Sequence, residues 1–186
     1  SEMTPGQAKV YHAYAEKLMQ EAESELADPQ GRMKLLAGLT RLRQLCCDPR
    51  LCLEGYAAGS GKLDQLIELA GGLAAQGHRM LIFSQFTSML ALLEEALHDA
   101  GLQTLKLTGE TDKIERMALV EQFNSGDIPV FLISLKAGGT GLNLTGADVV
   151  IHYDPWWNTA ARNQATDRAY RIGQTKGVQV FDLIAA

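Results

Sequence analysis

The sequence is short of cysteine. Among its 186 residues there are three, Cys46, Cys47 and Cys52, set within seven positions. An odd number so closely spaced makes a poor disulfide framework of the kind that small secreted domains need. A second cysteine pair is missing, and His12, His78, His98 and His152 lie far off in sequence, so the set is also a weak zinc site. Three buried or half-buried thiols at a helix end are expected instead, in an intracellular protein, cytoplasmic and nucleoid-associated or nuclear. Long apolar runs are absent too: none approaches the roughly 20 residues that a membrane helix needs. The polar start does not resemble a signal peptide, and no membrane partner is expected. Positive charge is not in excess, with Lys+Arg 17 against Asp+Glu 22 and a net charge of −5. That argues against a highly basic nucleic-acid coat but leaves room for a local basic site. Disorder and low complexity are excluded by 46% hydrophobic residues and 21% charged ones. The length suits one domain with a sizeable core.

The first sixty residues read as a helical extension. Thr4, Pro5 and Gln7 have the layout of a capping box, with Thr4 as N-cap and proline at the first helical position. The helix they open is expected to run to about Ser24 and to end at the turn signal Asp28-Pro29-Gln30-Gly31. Met33, Leu35, Leu36, Leu39, Leu42 and Leu45 mark a second helix, stopped by Asp48-Pro49. Gly55 to Gly61 reads as a loop or hinge.

From residue 61 to 186 the pattern changes to alternation. Strands are expected at Arg79–Ser84, Thr104–Leu107, Pro129–Ser134, Ala147–His152 and Val178–Ile184. Helices are expected at Lys62–Ala75, Thr87–Ala100, Asp112–Asn124 and Thr159–Arg171, with a glycine loop at Ala137–Gly141. Continuous apolar strands between helices of about a dozen residues imply an α/β fold, a doubly wound parallel sheet with helices on both faces. Ligands in such sheets gather at the carboxyl ends of strands. The segments to search are therefore Ser84-Gln85-Phe86, Thr108-Gly109-Glu110, Ser134 to Asn143 and Asp154 to Asn158.

Gly59-Ser60-Gly61-Lys62 is not a phosphate loop. Leu63 stands where serine or threonine is needed, Tyr56 replaces the first glycine, and no strand precedes it. Ser60 and Gly61 are expected to begin a helix. The glycines of Ala137 to Asn143 fit either a tight turn or a close backbone approach to phosphate or ribose. Lys136 beside them favours an anionic ligand. Arg168 and Arg171 share a helix face, with Gln164 one turn before Arg168 and Asp167 before Arg171. Two guanidiniums there suit a transferring γ-phosphoryl group, but on the residues alone a solvated face with an Asp167–Arg171 pair is the stronger reading. Trp156 and Trp157 are adjacent and cannot easily point the same way, so at least one is a candidate for partner or nucleic-acid contact.

Taken together, these segments resemble one family. FLISLKAGGTGLNLTGADVVIHYDPWWN (Phe131 to Asn158) and QATDRAYRIGQ (Gln164 to Gln174) are similar to motifs V and VI of SWI/SNF-type ATPases, within helicase superfamily two. RMLIFSQFTSML (Arg79 to Leu90) resembles motif IV, and LTGETDKIERMALVEQFN (Leu107 to Asn124) the segment after it. LTRLRQLCCDPRL (Leu39 to Leu51) resembles the helical protrusion before the lobe. The resemblance implies a second RecA-like lobe of a DNA-dependent ATPase that translocates on double-stranded DNA. Residues 1–60 would be the protrusion and 61–186 the lobe. ATP and Mg2+ would be bound mainly by an N-terminal RecA-like lobe, whose Walker lysine and acidic box do not occur in this sequence. Arg168 and Arg171 would be arginine fingers supported by Gln164 and Asp167. Gly139 and Gly141 would belong to the nucleotide-linked motif V. Ser84, Gln85, Thr108, Lys136 and Trp157 would touch DNA, contacts that position without reading sequence.

Thr159 departs from the family, which usually has proline there. The resemblance also implies that the chain is cut from a longer protein and is inactive alone. A nucleoprotein complex is a further partner it allows. Two alternatives stay open from the residues: a non-catalytic α/β interaction module using the paired tryptophans, and the same motor acting on RNA or single strands. Lys136, Arg162, Arg168, Arg171 and Lys176 cluster in sequence around the strand-end motifs. Glu16, Glu21, Glu23, Glu25 and Asp28 weight the helical end acidic, so the net charge averages two regions.

Overall fold

Helix α1 (Pro5–Glu25) opens the chain in this computed structural model, which describes residues 1–25, 28–138, 142–155, 159–167, 169, 175 and 177–186. The hydroxyl of Thr4 accepts the Gln7 N–H at 3.2 Å, one arm of the expected capping box. The other arm is absent. The fully buried Gln7 side chain donates to the Leu45 carbonyl at 2.8 Å and accepts the Gly61 N–H at 3.2 Å. It thus satisfies a last-turn carbonyl and a first-turn amide of two other helices, groups that have no partner within their own helix.

Asp28-Pro29 begins a helix where a turn was expected. Helix α2 (Pro29–Cys47) takes Asp28 as N-cap and Pro29, Gln30 and Gly31 as its first turn, because proline's fixed φ suits that position. α2 ends as read: Asp48 caps it, and its carboxylate holds the Arg50 amide and guanidinium at 2.8–3.0 Å. Its apolar stripe is split. Leu45 is buried, but Met33, Leu36 and Leu39 are exposed. Gly38 faces α1, where an added Cβ would meet Leu18 at 2.3 Å.

Helix α3 (Gly61–Ala75) starts where Ser60 accepts the Leu63 N–H at 3.4 Å and donates to the Cys47 carbonyl at 2.8 Å. The Gly-Ser-Gly-Lys stretch is a helix start, and Lys62 is buried within it.

Strands β1 (Met80–Ser84), β2 (Thr104–Leu107), β3 (Val130–Ser134), β4 (Val149–His152) and β5 (Gln179–Asp182) form one parallel sheet in the order β2-β3-β1-β4-β5. Register is continuous across its centre: Met80 pairs with Val130 on one side and Val149 on the other. Every residue of β1 and β3 is buried, so these strands read as unbroken apolar runs, as a sheet covered on both faces requires. Side chains alternate between the faces. Leu81, Phe83, Phe131 and Ile133 pack in one cluster with Phe123 of α5 (Lys113–Ser125) and Ala165 of α7 (Thr159–Thr166). Met80, Ile82 and Leu132 point the other way, where α4 (Thr87–Asp99) packs over β1, β2 and β3 and buries Met89, Leu90, Leu93 and Leu97.

Two expectations change here. Ala137 and Gly138 are not loop: Leu135–Gly138 forms the short helix α6, whose Ala137 N–H is accepted by the Ser134 hydroxyl at 3.2 Å. The last helix is shorter than Thr159–Arg171, because α7 ends at Thr166 and Asp167 lies in a turn. The chain forms two compact units, Leu66–Ile184 around the sheet and Ser1–Gln65 with Ala185–Ala186. The division between Gln65 and Leu66 falls inside α3.

Caps carry measurable energy in this architecture. Asp112 accepts the Ile114 and Glu115 amides at 2.8 and 2.9 Å, opening α5. Asp112→Ala is expected to lower stability by about 1 kcal/mol. Denaturant unfolding should show a lower midpoint at unchanged slope.

Candidate functional site

The chain leaves β1 toward the β2 edge and leaves β4 toward the β5 edge, although β1 and β4 are neighbours. Connections that diverge from adjacent parallel strands open a crevice at their carboxyl ends. Five of the sequence-predicted site residues belong to this end. Ser84 closes β1 and Gln85 follows it, Thr108 follows β2, and Lys136 follows β3 on α6; Asp167 follows α7.

A buried carboxylate bridges the crevice. Asp154, 5% exposed and just beyond β4, accepts the Gln85 N–H at 3.0 and 3.3 Å. Ser84 is turned inward, its hydroxyl accepting the Phe86 N–H at 3.1 Å. The loop after β1 is therefore fixed at both of its first residues. The Gln85 side-chain amide is different: its Nε2 is buried and has no hydrogen-bond partner among the described residues. A buried donor without an acceptor costs about 1–3 kcal/mol, so such atoms in native structures call for an explanation.

The other predicted residues differ in availability. The Thr108 hydroxyl accepts the Glu110 N–H at 3.3 Å and its own N–H donates to Thr111, which closes the turn after β2 locally. Lys136 is exposed on α6. Gln164 and Asp167 are exposed near the end of α7, where Asp167 donates its N–H to the Asn163 carbonyl at 2.8 Å. That end is tied to the sheet, since His152 Nε2 of β4 lies 3.1 Å from the Thr166 hydroxyl and the ring stacks on Phe83. Arg168, Arg171, Gly139, Gly141 and Trp157 lie outside the described residues.

The cysteines take the state expected of them. All three thiols are free, Cys47 buried and Cys46 and Cys52 half-buried at the end of α2. Burial pushes the Cys46 and Cys52 thiols up, which keeps them protonated and unreactive. Among the described residues there is no group of three His, Cys, Asp or Glu able to hold a metal ion, and no helix is long and apolar enough to cross a membrane.

Residues 61–173 match the model of the helicase conserved C-terminal domain. The chain belongs to that family. It is similar over its whole length to the Sulfolobus solfataricus SWI2/SNF2 ATPase core solved in complex with dsDNA, at 32% identity and a TM-score of 0.84, covering 40% of that chain. The C-terminal domain of the Sulfolobus solfataricus SWI2/SNF2 ATPase is 30% identical at a TM-score of 0.82, with all of this chain and 76% of that one aligned. YwqA of Bacillus subtilis is 45% identical over 167 residues, 87% of this chain and 18% of its own length. The chain thus spans about a fifth of that relative. The lobe is of the SWI2/SNF2 type, with the RecA-like fold implied by the sequence motifs.

Within this helicase C-terminal lobe, three side chains matter that motif reading passed over. Asp154 bridges two strand ends. Arg79, at the opposite end of the sheet, donates to the carbonyls of Phe123 and Ile128 and stacks on the Phe123 ring at 4.3 Å. Asn124 binds the segment before β4. The signal for Asp154 was its place after a strand; for the other two the local sequence carried none.

Proposed function

We propose that this lobe is the C-terminal motor half of a DNA-dependent ATPase that translocates on duplex DNA. Arg168 and Arg171 serve as arginine fingers toward ATP held, with Mg2+, mainly by an N-terminal RecA-like lobe. The observation that carries this reading is QATDRAYRIGQ, which begins in the last turn of α7, whose Thr166 is tied to β4, and lies within and just beyond the family match. ATP supplies the phosphoryl group and its charge. The planar guanidiniums of Arg168 and Arg171 stabilise the charge that grows on the equatorial oxygens in transfer. Gln164 and Asp167 orient them from the preceding turn.

DNA is held at the carboxyl ends of β1, β2 and β3 by Ser84, Gln85, Thr108 and Lys136, together with Trp157. The shared position of Ser84, Gln85, Thr108 and Lys136 at the carboxyl end of the parallel sheet supports this. The double-stranded DNA held by the similar Sulfolobus core points the same way. Remodelling of a nucleoprotein complex is a further step that this motor would drive.

Titrating ATP turnover of the parent protein with duplex DNA, single strands and RNA at fixed salt tests the reading. Duplex DNA is expected to stimulate most; a stronger response to single strands or RNA would overturn the duplex assignment. Gln85→Ala should raise the duplex concentration for half-maximal stimulation about tenfold, the worth of one hydrogen bond to a charged group. Its salt dependence should stay unchanged, whereas Lys136→Ala should lower the salt slope by about one.

A further inference from the structure

The segment that leaves the glycine motif is strung along one face of α5. On the near side of residues 139–141, Arg116 donates to the Ala137 carbonyl at 3.4 Å. On the far side, Asn124 Nδ2 donates to the Asn143 carbonyl at 2.8 Å, and Asn124 Oδ1 accepts the Gly146 N–H at 2.9 Å. The two anchors stand eight residues apart on the helix, about 12 Å at 1.5 Å per residue. Leu142 and Leu144 are buried between these ties, so the segment is held by its side chains on one side and by its backbone on the other.

The chemistry at position 124 is specific. A carbonyl and an amide three residues apart in the segment are met here by the separate donor and acceptor ends of one carboxamide. The two partners also fix which way the amide is turned. Gly146 leaves no slack, because a Cβ there would lie 2.9 Å from Arg79 Nη1 and 3.1 Å from the Asn124 Cα. Arg79 Nη1 holds the Gly146 carbonyl at 3.4 Å, so both polar groups of that residue are claimed. A cleft of about 680 Å³ runs beside α5, lined by Met117, Val120, Asn124, Leu142 and Asn143, so solvent reaches this contact line.

We propose that Asn124 is a positioning residue that holds Leu142–Ala147 on α5 and thereby couples DNA binding to ATP turnover. The tether is a feature of this lobe alone; its effect on turnover rests on the motor function proposed above. Asn124 touches no substrate in this account.

Hydrogen exchange on this chain and kinetics of the parent protein test it together. In Asn124→Ala the Gly146 amide should exchange about tenfold faster while the β1 amides stay protected, since one local hydrogen bond is lost. Equal acceleration in β1 would mean global loosening and would overturn the tether. Asn124→Asp keeps the acceptor and should preserve Gly146 protection while losing the bond to Asn143. In the parent, Asn124→Ala should lower DNA-stimulated kcat about fivefold, with DNA-free turnover and the KM for ATP within about twofold, the size of mutational effects on coupling. Unchanged stimulation beside faster Gly146 exchange would leave Asn124 a structural residue and defeat the coupling claim. A wild-type parent without DNA-stimulated turnover would sink the motor function instead, with the tether still decided by exchange.

Discussion

Arg171→Ala in the parent protein is expected to cut DNA-stimulated ATP turnover by roughly 10³-fold, with nucleotide binding largely retained. The size follows from where the charge appears. In phosphoryl transfer negative charge spreads over three equatorial oxygens, and a guanidinium aimed there acts on the transition state more than on the bound ground state. Uniform binding contacts would raise KM instead. The expected signature is therefore a fall in kcat with little change in the KM for ATP. Arg171→Lys should rescue poorly, because an ammonium lacks the planar fork. Single-turnover measurements with saturating duplex DNA separate the chemical step from product release. Turnover within a few-fold of wild type would remove Arg171 from the finger role.

Phe123→Ala should be the most destabilising change in the sheet unit, by about 3–5 kcal/mol. Phe123 is fully buried on α5, its ring 5.2 Å from that of Phe131 and tilted by 40°. The Arg79 guanidinium lies over the same ring at 4.3 Å and also donates to the Phe123 carbonyl. Removing the ring opens a cavity under β1 and β3 and takes away the surface on which a charged group rests. Burial already draws the Arg79 pKa below its ordinary value, against the pull of Asp127 and Asp148. The aromatic pair and the cation–π contact each add on the order of 1 kcal/mol to plain burial. Domains have about 5–15 kcal/mol in all, so this one change would bring the unit near its limit. Phe123→Leu keeps most of the volume but loses both ring contacts, and should cost about 2 kcal/mol, less than Phe123→Ala. Urea unfolding of both variants checks the ranking against Asp112→Ala, and a Phe123→Ala loss below 1 kcal/mol would contradict the packing described.

Much of the fold was legible before any coordinates. The strands of the sheet were placed to within about two residues, most plainly β1, β3 and β4, because strands buried on both faces are unbroken apolar runs. Ser60 as a helix start and Asp48-Pro49 as a helix stop were readable for the same reason: capping and proline chemistry act over three or four residues. Asp28-Pro29 misled because those two residues serve a turn and a helix start equally well, and only the chain that follows chooses. The strand-end positions of Ser84, Gln85, Thr108 and Lys136 were readable from the pattern of strands. The identity of the Gln85 amide as a buried orphan was not, since burial depends on what the rest of the chain places over it.

Local pattern in this sequence determines where the strands run and where most helices lie, that the sheet is parallel, and which family the lobe joins. Strand order β2-β3-β1-β4-β5 and the partners of Gln7, Arg79, Asn124 and Asp154 were decided only in the tertiary structure. Those contacts join residues up to 69 positions apart. Hydrogen bonding of a side chain to distant backbone leaves no periodicity in the sequence; it exists only once the sheet has brought both ends together.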